Sequence, residues 1–169
     1  MSNEFKDWYN DFSEEQKKNY ELCMKYPILT PYDGFDGTIS NDYFYEYTRL
    51  DDMQEGWRIA FGERWAADIQ DAVYKMSVEE LNKTWIIEIK EKYGALRTYF
   101  SYYTKELCEV INKYEELSKR ICIKCGASAT KISTTWISPW CDECAKGVND
   151  NIVGIDKYYK GGKGYDWHN

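Results

Sequence analysis

The chain contains only one histidine, His168, which lies near its C-terminal end. Ser-His and Cys-His nucleophile pairs, and histidine-ligated catalytic metal centres, need a histidine inside a folded site. The sequence also lacks a Gly-x-x-x-x-Gly-Lys-Ser/Thr phosphate loop and a Gly-x-Gly-x-x-Gly dinucleotide motif. These absences argue against most enzyme classes, and we predict that the protein is not an enzyme and has no catalytic residues.

Adjacent acids are the remaining candidates for acid–base chemistry. They form two pairs, Asp51 with Asp52 and Glu79 with Glu80. Catalytic carboxylates work as positioned acids and bases, whereas neighbouring acids in sequence usually decorate solvated helix ends. A carboxylate-dependent enzyme is therefore the last of three functional interpretations.

Long apolar runs are missing as well. No stretch approaches the roughly 18 apolar residues that a membrane-spanning helix needs. The opening stretch, MSNEFKDWYNDFSEEQKKNY, mixes acids and bases and contains no apolar core of a secretion signal. We therefore expect a cytoplasmic protein without membrane association, whose six cysteines are reduced thiols rather than disulfides.

Basic residues are scarce in the first two thirds of the chain. Residues 1–119 hold 15 lysines and arginines against 24 acids, whereas residues 120–169 hold 7 against 5. An acidic body repels phosphate backbones, which makes nucleic acid an unexpected partner and favours a protein with a basic surface.

Aromatic residues, in contrast, make up 17% of the chain. Between Asp33 and Glu55 they are interspersed with seven acids and a single base. Acids steer a basic partner towards the surface, and aromatic rings anchor it after contact. This segment supplies the first candidate partner residues, namely Asp33, Asp36, Asp42, Tyr43, Tyr45 and Tyr47. The alternative is a solvated loop whose rings pack back onto the helices.

Apolar periodicity and capping residues predict the elements of an α+β body over residues 1–119. A Ser-x-x-Gln capping box at Ser13 predicts a helix that ends at Pro27. A long loop with one short strand at 43–47, or a helical turn, follows. Helical spacing then predicts helices over 56–76 and from Thr104 to Ile121, with a short helix from Ser77 to about Lys83. Between the short helix and the helix that begins at Thr104, alternating apolar residues around a turn at 91–94 predict an antiparallel hairpin over 85–102.

Four of the six cysteines form the pattern Cys-x2-Cys-x15-Cys-x2-Cys, in the stretch CIKCGASATKISTTWISPWCDEC. Four thiolates at this spacing complete one tetrahedral zinc shell. Gly126, directly after the first pair, permits the tight turn of such a knuckle. We predict one structural Zn²⁺, held by Cys122, Cys125, Cys141 and Cys144. The ion lies in a metal knob of residues 120–150, and a partly flexible tail follows over 151–169.

Residues 122–146 of the metal knob are almost neutral, because three lysines face two acids there. A nearly neutral surface binds the phosphates of nucleic acid poorly. Trp136 and Trp140 could stack on bases, but such rings serve a protein partner equally well. A nucleic-acid-binding zinc ribbon is thus the second functional interpretation, and the two tryptophans are the second candidate partner surface.

The string IIEIKEKYGALRTYF, followed by a helix, then CIKCG and WISPWCDEC, resembles a family of small bacteriophage and prophage proteins. In that family an Ile-Lys-Glu-Lys-Phe/Tyr-Gly-x-Leu-Arg hairpin precedes a Cys-x-x-Cys-Gly zinc knuckle. The resemblance covers about Gly56 to Cys144 and implies phage origin and zinc at the four cysteines, without an established activity. By analogy with small phage proteins that bind host components, we expect a binding function.

Together these patterns predict helices packed on a small antiparallel hairpin sheet, with a C-terminal four-cysteine knob of zinc-ribbon or treble-clef type. The first functional interpretation is a non-enzymatic phage accessory protein. Its expected partner is a host protein, such as a defence or regulatory protein that it inhibits.

Overall fold

The computed structural model describes residues 9–39 and 43–160, and shows the predicted α+β arrangement. The helices are α1 (Glu14–Lys25), α2 (residues 55–74), α3 (Val78–Leu81), α4 (Lys105–Ser118), α5 (Asp142–Ala145) and α6 (Ile155–Lys160). The strands are β1 (Ile86–Lys92), β2 (Ala95–Phe100), β3 (Lys131–Ser133), β4 (Ser138–Trp140) and β5 (Ile152–Gly154). Short 3₁₀ helices cover Pro27–Leu29 and Arg49–Asp52. No helix in the described part of the chain is long and apolar enough to cross a membrane.

Helix α1 begins and ends as its sequence predicts. The Ser13 hydroxyl accepts a hydrogen bond from the Gln16 backbone N–H at 3.1 Å, and the Gln16 side chain accepts from the Ser13 N–H at 2.9 Å. This capping box satisfies two N–H groups that the first helical turn leaves unpaired. The helix stops at Lys25, two residues before Pro27.

The prediction of a strand at 43–47 was wrong: these residues, all of them described, form no strand, and the chain bends at Tyr45 and Glu46. Tyr45 has φ of 56°, in the left-handed region that strands exclude. Two polar side chains of α1 bind the local carbonyls, since Gln16 donates to Phe44 O at 3.0 Å and Asn19 to Tyr45 O at 2.9 Å. The other expected possibility, a helical turn in this loop, is present at Arg49–Asp52.

Helix α2 is the centre of the main core, and the apolar stripe predicted for it is largely buried. It opens with one α-helical turn, Glu55–Trp57, widens into a π-helical segment, Arg58–Gly62, and continues as a regular helix, Glu63–Tyr74. Five stripe residues are almost fully buried and a sixth, Met76, packs against the core; the five are Trp57, Phe61, Trp65, Ile69 and Val73.

The hairpin of β1 and β2 is antiparallel and turns at Tyr93 and Gly94, as predicted. Both turn residues have positive φ, 54° and 76°, which is the conformation of a two-residue type I′ turn. The register shifts between Ile86 and Glu88 through a bulge. As a result the expected alternation over 85–90 is broken, because Ile86 and Ile89 are buried while Ile87 is 41% exposed.

Helix α4 packs against both α2 and β2 and leads towards the metal knob. Thr104 caps it, as expected, by accepting from the Leu107 N–H at 3.3 Å.

Beyond helix α4, strands β4, β3 and β5 form a second antiparallel sheet in that order. The first part of the predicted tail thus contributes β5 and α6, and Ile155 and Tyr158 of α6 close a small second core over Ile132. Residues 161–169 of that tail lie outside the described residues.

Candidate metal centre and partner surface

The first cysteine pair lies on a tight knuckle between α4 and β3. The Gly126 N–H donates to the Cys122 carbonyl at 3.0 Å, and the Cys122 N–H donates to the Ala127 carbonyl at 2.7 Å. Gly126 has φ of 79°, a conformation that L side chains resist. The glycine therefore closes the turn in the way that its place after Cys125 predicts.

The second pair lies at the end of β4 and on the first turn of α5. Cys141 is the N-cap of this helix, and its sulfur accepts a hydrogen bond from the Cys144 N–H at 3.4 Å. The β3–β4 hairpin folds this pair back onto the knuckle, where the Ile123 N–H donates to the Pro139 carbonyl at 3.0 Å. The two pairs thus converge although a whole hairpin separates them along the chain.

The four sulfur atoms lie within 4.8 Å of one another, and this is the one metal-type cluster found among the described residues. The sulfurs of Cys125 and Cys141 are 3.7 Å apart. Four thiolates around Zn²⁺ at its usual bond length stand about 3.8 Å apart, whereas a disulfide requires about 2.0 Å. The donor set and its spacing therefore fit one tetrahedral ion.

The protonation of these thiols depends on local hydrogen bonds. The Cys144 backbone N–H, which donates to the Cys141 sulfur, lowers the pKa of Cys141 to about 7. Cys144 is the opposite case, because its hydrogen bond with Cys141, together with burial, raises its pKa to about 12. Crowded thiols cannot all ionise without a compensating cation. A bound divalent ion supplies that charge and stabilises all four as thiolates.

Four protein ligands leave no coordination position for water or a substrate. Cys122 is fully buried and Cys125 is exposed, so the centre lies at the surface of the metal knob with one side against the body. An ion held by all four cysteines would crosslink the knuckle to the first turn of α5.

The candidate partner acids Asp33 and Asp36 are exposed and stabilise their own turn. Asp33 Oδ1 accepts from the Phe35 N–H at 2.8 Å, and Asp36 Oδ1 accepts from the Thr38 N–H at 2.9 Å. Between them lies Phe35, another aromatic residue of the predicted segment, which is 96% exposed. Asp42, the third candidate acid, lies outside the described residues.

The three candidate tyrosines occupy different environments. Tyr45 inserts its ring beside Tyr20 at a centroid distance of 5.1 Å. Tyr43 donates its hydroxyl to the Tyr47 carbonyl, and burial, together with nearby Cys23, raises its pKa. The rings of Phe44 and Tyr47 are each 47% exposed. The structure therefore divides this segment into rings that anchor the loop and rings that face outwards, a division that no periodicity in the sequence indicates.

The two tryptophans of the second candidate surface also differ. Trp136 is 74% exposed at the tip of the β3–β4 turn, whereas Trp140 is partly buried and donates from its indole to Ser133 Oγ at 3.1 Å. Trp136 adjoins Ile137, which contacts Gly94 at the hairpin turn, while the Asp33–Thr38 turn lies against Trp85 and Ile87. Strand β1 separates these places by about 20 Å. The two candidate surfaces are thus distinct faces.

The adjacent acids contribute to local structure. Asp51 caps the 3₁₀ turn by accepting from the Thr48 N–H at 2.7 Å, and it also pairs with Arg58 at 2.9 Å. Glu80 completes the capping box of α3 by accepting from the Ser77 N–H at 2.9 Å. Both carboxylates therefore stabilise helix ends.

Comparison with known proteins adds no relative to this description. No family model matches the chain, and no curated protein or solved structure is significantly similar to it.

Proposed function

We propose that the protein is a zinc-containing, non-enzymatic accessory protein of a phage or prophage. It acts by binding a host protein with a basic surface, such as a defence or regulatory protein that it inhibits. The observation that supports the metal-binding, non-enzymatic part of this proposal is the closed set of four cysteine sulfurs, which can hold one ion but leaves no position for catalysis. The phage origin is supported by the sequence resemblance alone.

The metal is zinc, because a four-thiolate tetrahedral set is typical of structural zinc sites. The order of the elements supports a treble-clef-like arrangement rather than a ribbon. A knuckle carries Cys122 and Cys125, a β-hairpin follows, and the second pair begins a helical turn, Asp142–Ala145. In this proposal the metal maintains the fold and does not contact the partner.

The partner surface is the acidic, aromatic side of the body. Phe35, Phe44 and Tyr47 supply exposed rings, and exposed Glu46 lies between the last two. Acids at the rim accelerate association with a basic partner, whereas aromatic rings at the centre slow dissociation. Tyr43 and Tyr45 take part indirectly by fixing the loop. The alternative partner surface is the face of the metal knob that carries Trp136.

A paired capture experiment tests this proposal. The wild-type chain and a Phe44→Ala/Tyr47→Ala variant are immobilised and exposed to host lysate at low and moderate salt, with Trp136→Ala as the matched variant of the other face. We expect a protein that the wild type and Trp136→Ala retain and the double variant loses. Retention by the double variant and loss by Trp136→Ala would move the partner surface to the metal knob. Capture of nucleic acid with a steep salt dependence would contradict protein binding.

A further inference from the structure

The first turn of helix α2 lacks a side-chain cap. Gln54 occupies the N-cap position but makes no capping hydrogen bond with its side chain. The first four N–H groups of a helix have no partner within it, so a buried helix start needs acceptors from elsewhere. Gly56, which lies in this turn, is buried.

The metal knuckle supplies that acceptor. The Gly56 N–H donates to the Ile123 carbonyl at 2.9 Å, between the first two cysteines. The fully buried indole of Trp57 donates to the Ile121 carbonyl at 3.1 Å. Both acceptors flank Cys122, so the conformation that brings this cysteine to the metal also directs two carbonyls at the start of α2.

The helix start and the knuckle pack so closely that glycine is required on both sides, at Gly56 and at Gly126. A Cβ atom on Gly56 would lie 2.1 Å from the Cys122 carbonyl oxygen. A Cβ atom on Gly126 would lie 2.7 Å from the Gly56 carbonyl oxygen and 3.3 Å from the backbone nitrogen of Ala60. Ala60 is in the π-helical segment, Arg58–Gly62, so the helix is widened where the knuckle packs against it.

The helix start is in turn tied to the segment before it. Arg58 donates to Asp51 Oδ1 at 2.9 Å, and the other oxygen of Asp51 accepts from the Thr48 N–H at 2.7 Å. Leu50 packs against Gly62, with its Cδ2 atom 3.6 Å from where a Cβ would stand. One continuous set of contacts therefore runs from the knuckle through α2 to the 3₁₀ turn.

We propose that metal occupancy of the four-cysteine centre controls the order of residues 48–62 in the body, so that the centre is a switch as well as a crosslink. This inference rests on the proposed metal centre but not on the identity of the partner. Without the ion, Cys122 and Cys125 are no longer held together, and the carbonyls of Ile121 and Ile123 lose their fixed positions. The start of α2 then loses its cap, and the 3₁₀ turn that follows Phe44 and Tyr47 loosens with it.

Hydrogen exchange of the full chain, followed by mass spectrometry, tests the switch directly. The zinc-loaded protein is compared with protein stripped by a chelator under reducing conditions, after elemental analysis of the starting material. We expect amides of residues 55–62 to exchange at least about tenfold faster after stripping. If the starting protein contains zinc but stripping speeds exchange only in residues 121–145, the switch is overturned while the metal centre stands. Starting material without zinc would overturn the proposed centre itself.

A second test uses the reciprocal coupling between ion binding and docking of the helix. If the ion stabilises the docked helix, the docked helix strengthens ion binding by the same factor. Gly56→Ala, whose methyl group meets the Cys122 carbonyl, should weaken Zn²⁺ affinity about 5- to 150-fold in a chelator competition. The matched control is Gly147→Ala in the metal knob, where the nearest atom, Cys144 O, is 3.9 Å away and affinity should not change.

A milder variant guards against unfolding of Gly56→Ala. Trp57→Phe retains an aromatic ring and removes the hydrogen bond to Ile121, and it should weaken Zn²⁺ affinity roughly threefold or more. Circular dichroism checks that it is folded. Unchanged zinc affinity in folded Trp57→Phe and Gly56→Ala would overturn the coupling.

Discussion

The side-chain amide of Gln70 accepts a hydrogen bond from the backbone N–H of Ile28 at 2.8 Å, in the interior of the protein. Gln70 lies on the central helix α2, and Ile28 lies in the 3₁₀ turn that follows α1. Gln70 is only 4% exposed, so water cannot replace the contact. This buried polar contact ties the turn after the first helix to the central helix.

Removing that acceptor should destabilise the fold. Gln70→Leu keeps an apolar side chain of similar size but leaves the Ile28 N–H buried without a partner, at a cost of about 1–3 kcal/mol. Urea denaturation measures the change in the free energy of unfolding. Gln54→Leu is the control, because Gln54 is exposed and makes no capping hydrogen bond, and it should stay within about 0.5 kcal/mol of the wild type. Equal effects of the two substitutions would contradict this account.

The metal centre should depend on its four thiols and on no other cysteine. Elemental analysis of the wild type should give about one zinc per chain. Cys125→Ser should lose the ion and lower the melting temperature, because a hydroxyl does not replace a thiolate in this shell. Cys108→Ser, which changes a half-buried thiol outside the cluster, should retain zinc. Zinc that survives Cys125→Ser at wild-type affinity would remove this cysteine from the site.

The hairpin turn should require glycine at position 94. Gly94 has φ of 76°, and a Cβ atom there would lie 3.1 Å from Ile137 of the metal knob. We expect Gly94→Val to destabilise the protein by more than about 1 kcal/mol, because a β-branched residue resists this conformation. Tyr93→Asn tests the neighbouring position, where φ is 54° and asparagine is a preferred turn residue. That variant should be as stable as the wild type or more so, and an unchanged melting temperature for Gly94→Val would show that the turn tolerates side chains.

Features that depend on neighbouring residues in sequence were predictable, and those set by distant contacts were not. The capping box at Ser13, the turn at Tyr93–Gly94 and the cysteine spacing are local patterns, and each has its expected structure. The path of residues 43–47 is set by Gln16 and Asn19 on another element, which no local pattern records.

Helix α2 illustrates the same limit in the candidate site. Its apolar stripe predicts one helix but not the π-helical segment, which packs against the knuckle, a part of the chain that is distant in sequence. The one available signal was Gly56 itself, since a glycine at a helix start often marks a close approach of another backbone.

Acid should weaken the contact between the two long helices. Asp68 Oδ2 on α2 accepts from the buried Tyr114 hydroxyl on α4 and from Lys113 Nζ, both at 2.7 Å. Partial burial raises the pKa of Asp68, but these two hydrogen bonds outweigh it and leave the pKa below its usual 3.8. A lowered pKa in the folded state means that the stabilisation is fully present above the unfolded value and is lost as the pH falls through the folded one.

Asp68→Asn should therefore reduce the loss of stability below about pH 4, while lowering stability at pH 7. Denaturation midpoints measured from pH 7 to pH 3 check both effects. Asp71→Asn on the same helix is the control, because it removes the same charge from an exposed position. Identical profiles for both variants and the wild type would mean that Asp68 titrates alike in the folded and unfolded states.

The acidic side of the body should govern how fast a partner associates, and its exposed rings should govern how long the partner stays. Asp33→Asn/Asp36→Asn, with Glu46→Gln, removes three charges from exposed positions, and asparagine still accepts the turn hydrogen bonds of Asp33 and Asp36. Surface plasmon resonance with a captured partner should then show slower association and a weaker salt dependence. Phe44→Ala and Tyr47→Ala should instead speed dissociation. Each substitution should weaken the binding free energy by about 1 kcal/mol or more if the ring lies at the centre of the contact.

Tyr45→Ala provides the internal comparison for this surface. Its ring packs between Phe12, Tyr20 and Tyr43, with centroid distances of 5.0–6.0 Å, so its loss should release the loop and lower thermal stability. Phe44→Ala should change dissociation without that loss, since the Phe44 ring is half exposed and Gln16 binds only its backbone carbonyl. If Phe44→Ala and Tyr45→Ala destabilise the fold equally and leave dissociation unchanged, the rings of this segment serve the core, and Trp136 becomes the residue to test next.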